Sequence, residues 1–291
     1  LYPEANKQHR IAVFFPAYKE DKVIIDSVRS FLGQDYPKEL YDVYVISDHM
    51  QDSTNETLSQ LPIRLLTATY EDSSKAKALL LAINAIEEEG KAGGLRDRQL
   101  ALMYDIAVVM DADNVTVPGF LSEVNRAYCT GVWSMQAHRT GKNLNTDIAL
   151  LDGVSEEINN GFFRSGHNAL GLSAGLAGSG MAFHYFWYYN AVQELETAGE
   201  DKELELALLE CGIHTVYLEH LPVYDEKTQK KENIKKQRRR WMAAQFGILC
   251  EGLSFIKYVK QMEGWWRWWP TFDLVDKIIQ WMLPPRLVQL A

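Results

Sequence analysis

The stretch DIAVVMDADN, Asp105 to Asn114, is apolar from Ile106 to Met110 and then sets Asp111 and Asp113 two residues apart. A short run rich in Val and Ile, bounded by polar residues, reads as a buried strand. It places two carboxylates just past the strand's carboxyl end. Three earlier runs have the same character: RIAVFFPAY (Arg10 to Tyr18), YDVYVISD (Tyr41 to Asp48) and PIRLLTAT (Pro62 to Thr69). Helical patterns lie between them. In DKVIIDSVRSFLGQ the apolar Ile24, Val28 and Phe31 share one face, and SSKAKALLLAINAIEEEG opens on Ser and closes at Gly90. Strands alternating with helices imply βαβ units and a parallel sheet. Such sheets bind ligands at the carboxyl ends of their strands. Residues 16–20, Asp48 and the pair Asp111 and Asp113 are therefore expected on one edge.

Farther along, the Gly-rich GLSAGLAGSG (Gly171 to Gly180) interrupts a helical region. EDKELELALLECG reads as a helix closed by Gly212, and IHTVYLE as a strand. A helix-like pattern follows Trp241. Then come a Trp-rich GWWRWWP and an amphipathic segment with Val275, Ile278, Ile279 and Met282 on one face. The expected organisation is a compact domain over residues 1–255 and a C-terminal helical segment over 256–291.

The chain has 291 residues, enough to bury a core without disulfides or structural metal, and its 47% hydrophobic and 24% charged content is that of a globular protein. Cys129, Cys211 and Cys250 are far apart and odd in number, which fits a reducing compartment better than a disulfide framework. No apolar run is long enough to span a bilayer, no signal peptide is present, and the first residue is not Met. The expectation is a domain excised from something longer. The formal net charge is -9, yet eight of the fourteen residues from Lys227 to Arg240 are Lys or Arg. A local basic site in an acidic chain suits a small anion better than a long polyanion, so nucleic acid is not expected as a partner.

Each chemical motif has a plain alternative. Asp111 and Asp113 offer hard oxygen ligands for Mg2+ or Mn2+, or are strand-end acids in a solvated turn. Glu200 and Asp201 open a helix, where the dipole favours acids; a general base is the functional reading. Asp52, in SDHMQDST, reads as a cap, whereas Asp48 sits at the expected ligand edge. Lys75 and Lys77 fit either phosphate contacts or a solvated helix start. His184 and His220 read as structural. QRRRW fits a solvated basic face, or Arg forks that match phosphate oxygens beside a Trp that stacks on a sugar.

Taken together, these motifs resemble glycosyltransferase family 2, the inverting GT-A enzymes, and in particular its membrane-associated, synthase-like branch. FFPAYKE resembles the family's opening Pro-Ala-x-x-Glu, VISDHMQDST its nucleoside loop and MDADNVTVPGFL its metal-binding D-x-D segment. GLAGSGMAF is similar to its acceptor-side Gly-rich loop, GEDKELELALLECG to its Glu-Asp base motif and QRRRW to Q-x-x-R-W. The likeness spans about residues 10–245. It departs at KAKALL, with Ala76 and Leu80 where the family has Gly and Asn, and at Gly199, where cellulose-synthase-like members often have Thr.

The resemblance implies an α/β GT-A fold with a mixed, mostly parallel sheet flanked by helices. It also implies roles. Ala17, Tyr18, Glu20 and Asp48 would border the nucleoside, with Lys75 near the nucleotide. Asp111 and Asp113 would hold Mn2+ or Mg2+ on the donor diphosphate, and Arg240 would meet that diphosphate. Asp201 would be the base, with Glu200 beside it as the second candidate. Gly178, Ser179, Gly180, Gln237 and Trp241 would shape the acceptor end. The implied reaction is an inverting transfer from a nucleotide-sugar donor, by family preference a UDP-sugar, to a glycan or lipid-linked acceptor at the cytoplasmic face of a membrane. Five of the eight Trp residues lie between Trp265 and Trp281, beside Arg and Lys, as at bilayer interfaces; the plain alternative is a packed C-terminal helix pair covering the core. Two rival readings are a sugar-phosphate nucleotidyltransferase and a non-enzymatic basic-helix module for nucleic acid or acidic lipid. The first lacks the Gly-rich loop expected after the first strand, where FFPAYKED stands.

Overall fold

The four expected strands form in the computed structural model, which describes residues 2–195, 199–227, 242–243, 245–254 and 268–282. They are β1 (Ile11–Tyr18), β2 (Tyr41–Asp48), β3 (Arg64–Ala68) and β4 (Ile106–Val109). β1 pairs in parallel with both β2 and β4, and β2 with β3. Alternate residues of β1 enter different cores. Ile11, Val13 and Phe15 join the layer on one face, and Ala12 and Phe14 the layer on the other. Both faces are thus covered, which is why the run is apolar throughout.

Helices flank the sheet. They are α1 (Ile24–Phe31), α2 (Asp52–Ser59), α3 (Lys75–Ala92), α4 (Asp97–Leu100), α5 (Phe120–Cys129), α6 (Asp147–Asn159), α7 (His167–Ala169), α8 (Tyr185–Val192), α9 (Glu200–Glu210) and a C-terminal helix (Trp268–Met282). Ile24, Val28 and Phe31 of α1 pack with Phe120, Leu121 and Val124 of α5 on one side. On the other, Leu79, Ile83 and Ile86 of α3 meet Tyr185 and Tyr188 of α8 and Leu204 and Leu208 of α9. A π-helical segment, Asn160–Gly166, joins α6 to α7.

Four further strands complete an eight-stranded mixed sheet: β5 (Val115–Thr116), β6 (Ser134–Gly141), β7 (Met181–His184) and β8 (Thr215–Asp225), in the order β3-β2-β1-β4-β7-β6-β8-β5. β7 is antiparallel to β4 and β6, β6 is parallel to β8, and β5 is antiparallel to β8. β6 has no apolar signature because its middle is polar and satisfied. The fully buried Gln136 donates to the carbonyls of Ala137 (2.9 Å) and Ser179 (3.0 Å) and accepts from Ala177 N (2.8 Å). The same amide fastens the Gly-rich segment to the sheet.

Two local expectations are corrected. Gly90 does not close α3, which runs on to Ala92; a Cβ at Gly90 would lie 2.4 Å from Leu100 Cδ2, so Gly here permits the close approach of α4. Asp52 is not the cap of α2. Asp21 reaches across from the segment before α1, and its Oδ1 accepts from Gln51 N (2.8 Å) and Thr54 Oγ1 (2.7 Å).

The C-terminal helix packs Leu274, Ile278 and Trp281 against Leu206 and Leu209 of α9 and Ile248 of a helical stretch at 245–254. Polar ties reinforce it. Asp273 accepts from Ser173 N (2.9 Å) and Oγ (2.5 Å), and Asp276 meets His167 Nε2 at 3.0 Å.

Gly180, at the head of β7, has φ +62°, and a Cβ there would lie 3.0 Å from Val223 Cγ2. Gly180→Ala is expected to destabilise the fold by about 1–3 kcal/mol through combined backbone strain and overpacking, read as a lower midpoint in urea denaturation.

Candidate active site

The carboxyl ends of β1, β2 and β4 lie side by side, and the expected site residues follow from that register. Tyr18 pairs with Asp48 across β1 and β2. Ala17 is buried, Tyr18 is 49% exposed and Asp48 is buried. The chain then bends sharply. Lys19 and His49 are the two non-Gly residues with positive φ among those described, at 56° and 54°. His49 Nδ1 lies 2.6 Å from Asp48 Oδ1, and its ring stands edge-on to Tyr18 at 5.7 Å. An exposed phenol beside a buried carboxylate makes a shelf with an acceptor at its rim, suited to a flat heterocycle bearing N–H groups.

Past β4 the chain forms a tight acidic turn. Asn114 N donates to Asp111 O and Asn114 Oδ1 accepts from Asp111 N, both at 3.0 Å. Asp113 Oδ1 accepts from Asn114 Nδ2 (3.0 Å), and Oδ2 from Glu226 N (2.8 Å). The Asp111 side chain stays 37% exposed and faces Lys75 Nζ at 2.5 Å.

Lys75 is where several segments meet. It stands in the first turn of α3, whose N-cap Ser74 accepts from Lys77 N. Its ammonium contacts Asp111 Oδ1, donates to Gly178 O at 2.6 Å and lies 3.6 Å from Glu200 Oε1. One cation thus joins the acidic turn, the Gly-rich loop and the opening of α9. Burial works against its charge, but Asp111 and Glu200 overcome that and hold the ammonium above its ordinary pKa. Burial likewise opposes the Asp111 charge, and Lys75 and Arg139 outweigh it, leaving that carboxyl below its usual range.

The other acids are pushed the opposite way. Burial raises Asp113, with Asp111 adding to it. Burial also raises Glu20, with Asp113, Asp111 and Glu226 adding. Burial lifts Glu200 to about 7 against the pull of Lys75. Asp201, beside it, has a side chain 23% exposed with Lys202 Nζ at 3.7 Å. Of the two acids that open α9, Glu200 faces inward to Lys75 and Asp201 keeps access to solvent.

The Gly-rich loop brings Gly178 (φ +81°), Ser179 and Gly180 to the same edge. Ser179 is fully buried, and its hydroxyl has no hydrogen-bond partner among the described residues. Gly178 O accepts from Lys75, while Ser179 O and Gly180 O tie the loop to β6. Gln237, Arg240 and Trp241 lie outside the described residues.

A second ionic group, which the sequence did not reveal, underlies the first. Arg139, near the end of β6, donates to Ala177 O and to Asp225 Oδ2 (2.6 Å). Asp225 also meets Lys227 Nζ (2.9 Å), and Glu156 lies 2.7 Å from Arg164 Nη1 and 3.7 Å from Lys227 Nζ. Asp225 Oδ1 is buried without a partner among the described residues. A basic residue near the end of an unrecognised strand gives no pattern; recognising β6 would have placed Arg139 on the ligand edge.

The geometry suits a polyanionic ligand with a cation: clustered carboxylates, two half-buried cations and an aromatic shelf on one sheet edge. Comparisons with known proteins agree with the fold. Mannosyltransferase PcManGT from Pyrobaculum calidifontis, in complex with GDP-Man and Mn2+, superposes with TM-score 0.63 at 14% identity, over 96% of this chain and 72% of that one. TarS 1-349 from S. aureus, in complex with UDP-GlcNAc, gives 0.58 at 13% identity, over 93% and 73%. Glucosyl-3-phosphoglycerate synthase from Mycobacterium tuberculosis, with Mn2+, UDP and phosphoglyceric acid, gives 0.53 at 15% identity, over 82% and 78%. A search of curated protein sequences finds no match. The family model described as "Glycosyltransferase like family 2" matches residues 9–244. That span holds all eight strands, the acidic turn after β4 and the acids that open α9, and the chain belongs to this family of sugar transferases.

Proposed function

We propose that the protein transfers a sugar, with inversion, from a nucleotide-diphosphate donor to an acceptor hydroxyl. The observation that carries this reading is the Lys75 ammonium, which brings the acids after β4 and the acids of α9 into one site. The solved relatives bound to GDP-Man, UDP-GlcNAc or UDP support a nucleotide-linked donor. In this reading the base lies on the Tyr18 and Asp48 shelf, with Ala17 and Glu20 at its border. UDP is the nucleotide we assign.

The residues fit a divalent cation. Asp111 and Asp113 offer hard oxygen ligands two residues apart on one turn, with Asp111 37% exposed. Mn2+ or Mg2+, when bound, would supply positive charge to the diphosphate leaving group. Asp201 takes the proton of the acceptor hydroxyl. That oxygen forms a bond to the anomeric carbon as the bond to the diphosphate oxygen breaks on the opposite face. The nucleoside diphosphate leaves with the electron pair. Lys75 and Arg139 place positive potential beside the departing anion. Glu200, paired with Lys75, fixes the start of α9. Gly178, Ser179 and Gly180 shape the acceptor side. The roles of Gln237, Arg240 and Trp241, as acceptor walls and diphosphate contact, rest on the resemblance alone.

The acceptor we assign is a glycan or lipid-linked carrier at the cytoplasmic face of a membrane. Among the described residues no helix is long and apolar enough to cross one. Support for surface contact comes from the C-terminal helix, whose outward stripe is apolar: Phe272 (57% exposed), Val275, Ile279 (53%) and Met282 (65%). Residues 256–291 would then be an interfacial segment appended to a catalytic domain over 1–255.

Asp201→Asn is expected to lower kcat by about 100-fold or more while leaving the thermal shift caused by nucleotide sugar and Mn2+ intact; a lost shift would make Asp201 structural. Asp111→Asn combined with Asp113→Asn should abolish the Mn2+-dependent part of that shift and both donor hydrolysis and transfer; unchanged activity would refute the metal assignment. In flotation assays the protein should rise with anionic vesicles, and Ile279→Glu with Met282→Glu should reduce that binding at least several-fold.

A further inference from the structure

Glu205 lies one turn beyond Asp201 on α9 and is 4% exposed. Its carboxylate gathers groups from three segments. Oε1 accepts from Leu176 N of the Gly-rich segment at 2.7 Å and faces Lys277 Nζ of the C-terminal helix at 3.6 Å. Oε2 accepts from Lys202 Nζ at 2.8 Å and from Trp281 Nε1 at 3.3 Å. Burial opposes the charge on Glu205, yet Lys202 and Lys277 overcome it and hold the carboxyl down at about 2. Lys277 is buried and makes no hydrogen bond among the described residues; Glu205 answers its charge, with Asp273 and Asp276 adding to the field.

Lys202 is the decisive neighbour. Its ammonium stands 2.8 Å from Glu205 and 3.7 Å from Asp201, and it also donates to Leu176 O at 3.3 Å. An ammonium drawn onto Asp201 would stabilise the carboxylate and make it a poorer proton acceptor. Other charged groups around this corner, among the described residues, include Glu200 on α9, Lys75 from α3, Asp111 after β4 and Arg164 from the π segment.

We propose that Glu205 is a positioning residue for the transfer step: it holds Lys202 off Asp201 and ties the base helix to the Gly-rich loop and the C-terminal helix. The proposal rests on Asp201 being the base. It also gives the buried Lys277 and Trp281 a purpose beyond packing, because they hold the other side of the Glu205 carboxylate.

The test compares wild type, Glu205→Gln, Lys202→Met and the double variant, using whichever UDP- or GDP-sugar gives the largest thermal shift with Mn2+. Glu205→Gln should lower kcat about tenfold while changing the donor KM less than twofold. Adding Lys202→Met should recover most of that loss, because the ammonium that would move to Asp201 is gone. Full activity in Glu205→Gln, or a loss that Lys202→Met does not recover, overturns the proposal. Should Glu205→Gln unfold the chain by stranding Lys277, the comparison is made in a Lys277→Met background, where no buried charge is stranded. Asp201→Asn separates the two readings. Wild-type kcat in that variant overturns the base assignment itself. Loss there, without recovery in the double variant, overturns only the role of Glu205.

Discussion

The Lys75 ammonium, fixed between Asp111, Gly178 O and Glu200, is the contact on which the site depends. Lys75 and its three partners come from four different parts of the topology: a helix between two parallel strands, the turn after β4, the loop before β7 and the start of α9. A cation largely out of water is costly unless opposing charges surround it, and two carboxylates with one carbonyl meet that need. The carboxylates depend on the ammonium in return, since like charges packed on one sheet edge repel. The sheet order brings the strand ends together; Lys75 sets the distance at which the acids face one another.

A second tier of charge lies beneath. Arg139, Asp225, Lys227, Glu156 and Arg164 connect β6, β8, α6 and the π segment. Arg139 adds positive field at Asp111, so the two tiers act on one carboxylate. Such networks discriminate among arrangements more than they add stability, because each member loses its partner if a segment shifts.

The first half of the fold was legible because β1, β2 and β4 are buried and the edge strand β3 still carries a short apolar run. RIAVFFPAY and DIAVVMDADN announce themselves by apolar length, and their ends carry the acids that matter. β6 was hidden because Gln136 stands where an apolar residue is expected, its amide fully used by the backbone. β7 was hidden by brevity and by the glycines before it. Asp111, Asp113, Lys75 and Glu200 could be named from sequence because they sit at recognisable element ends. Arg139 and Glu205 could not. One lies in an unrecognised strand, and the other reads as a polar residue of an exposed helix face until the C-terminal helix is seen to cover it.

The π-helical turn between α6 and α7 constrains the length of the chain itself. It holds an extra residue per turn relative to the helix around it. On one side Asn160 donates to Arg139 O, and Arg164 reaches Gly175 O and Glu156. On the other, His167 meets Asp276 of the C-terminal helix. Deleting one residue from the turn would restore regular α geometry and rotate everything beyond it by about 100°, taking His167 away from Asp276. Here an insertion or deletion would have to be matched by rebuilding the contact between this segment and the C-terminal helix.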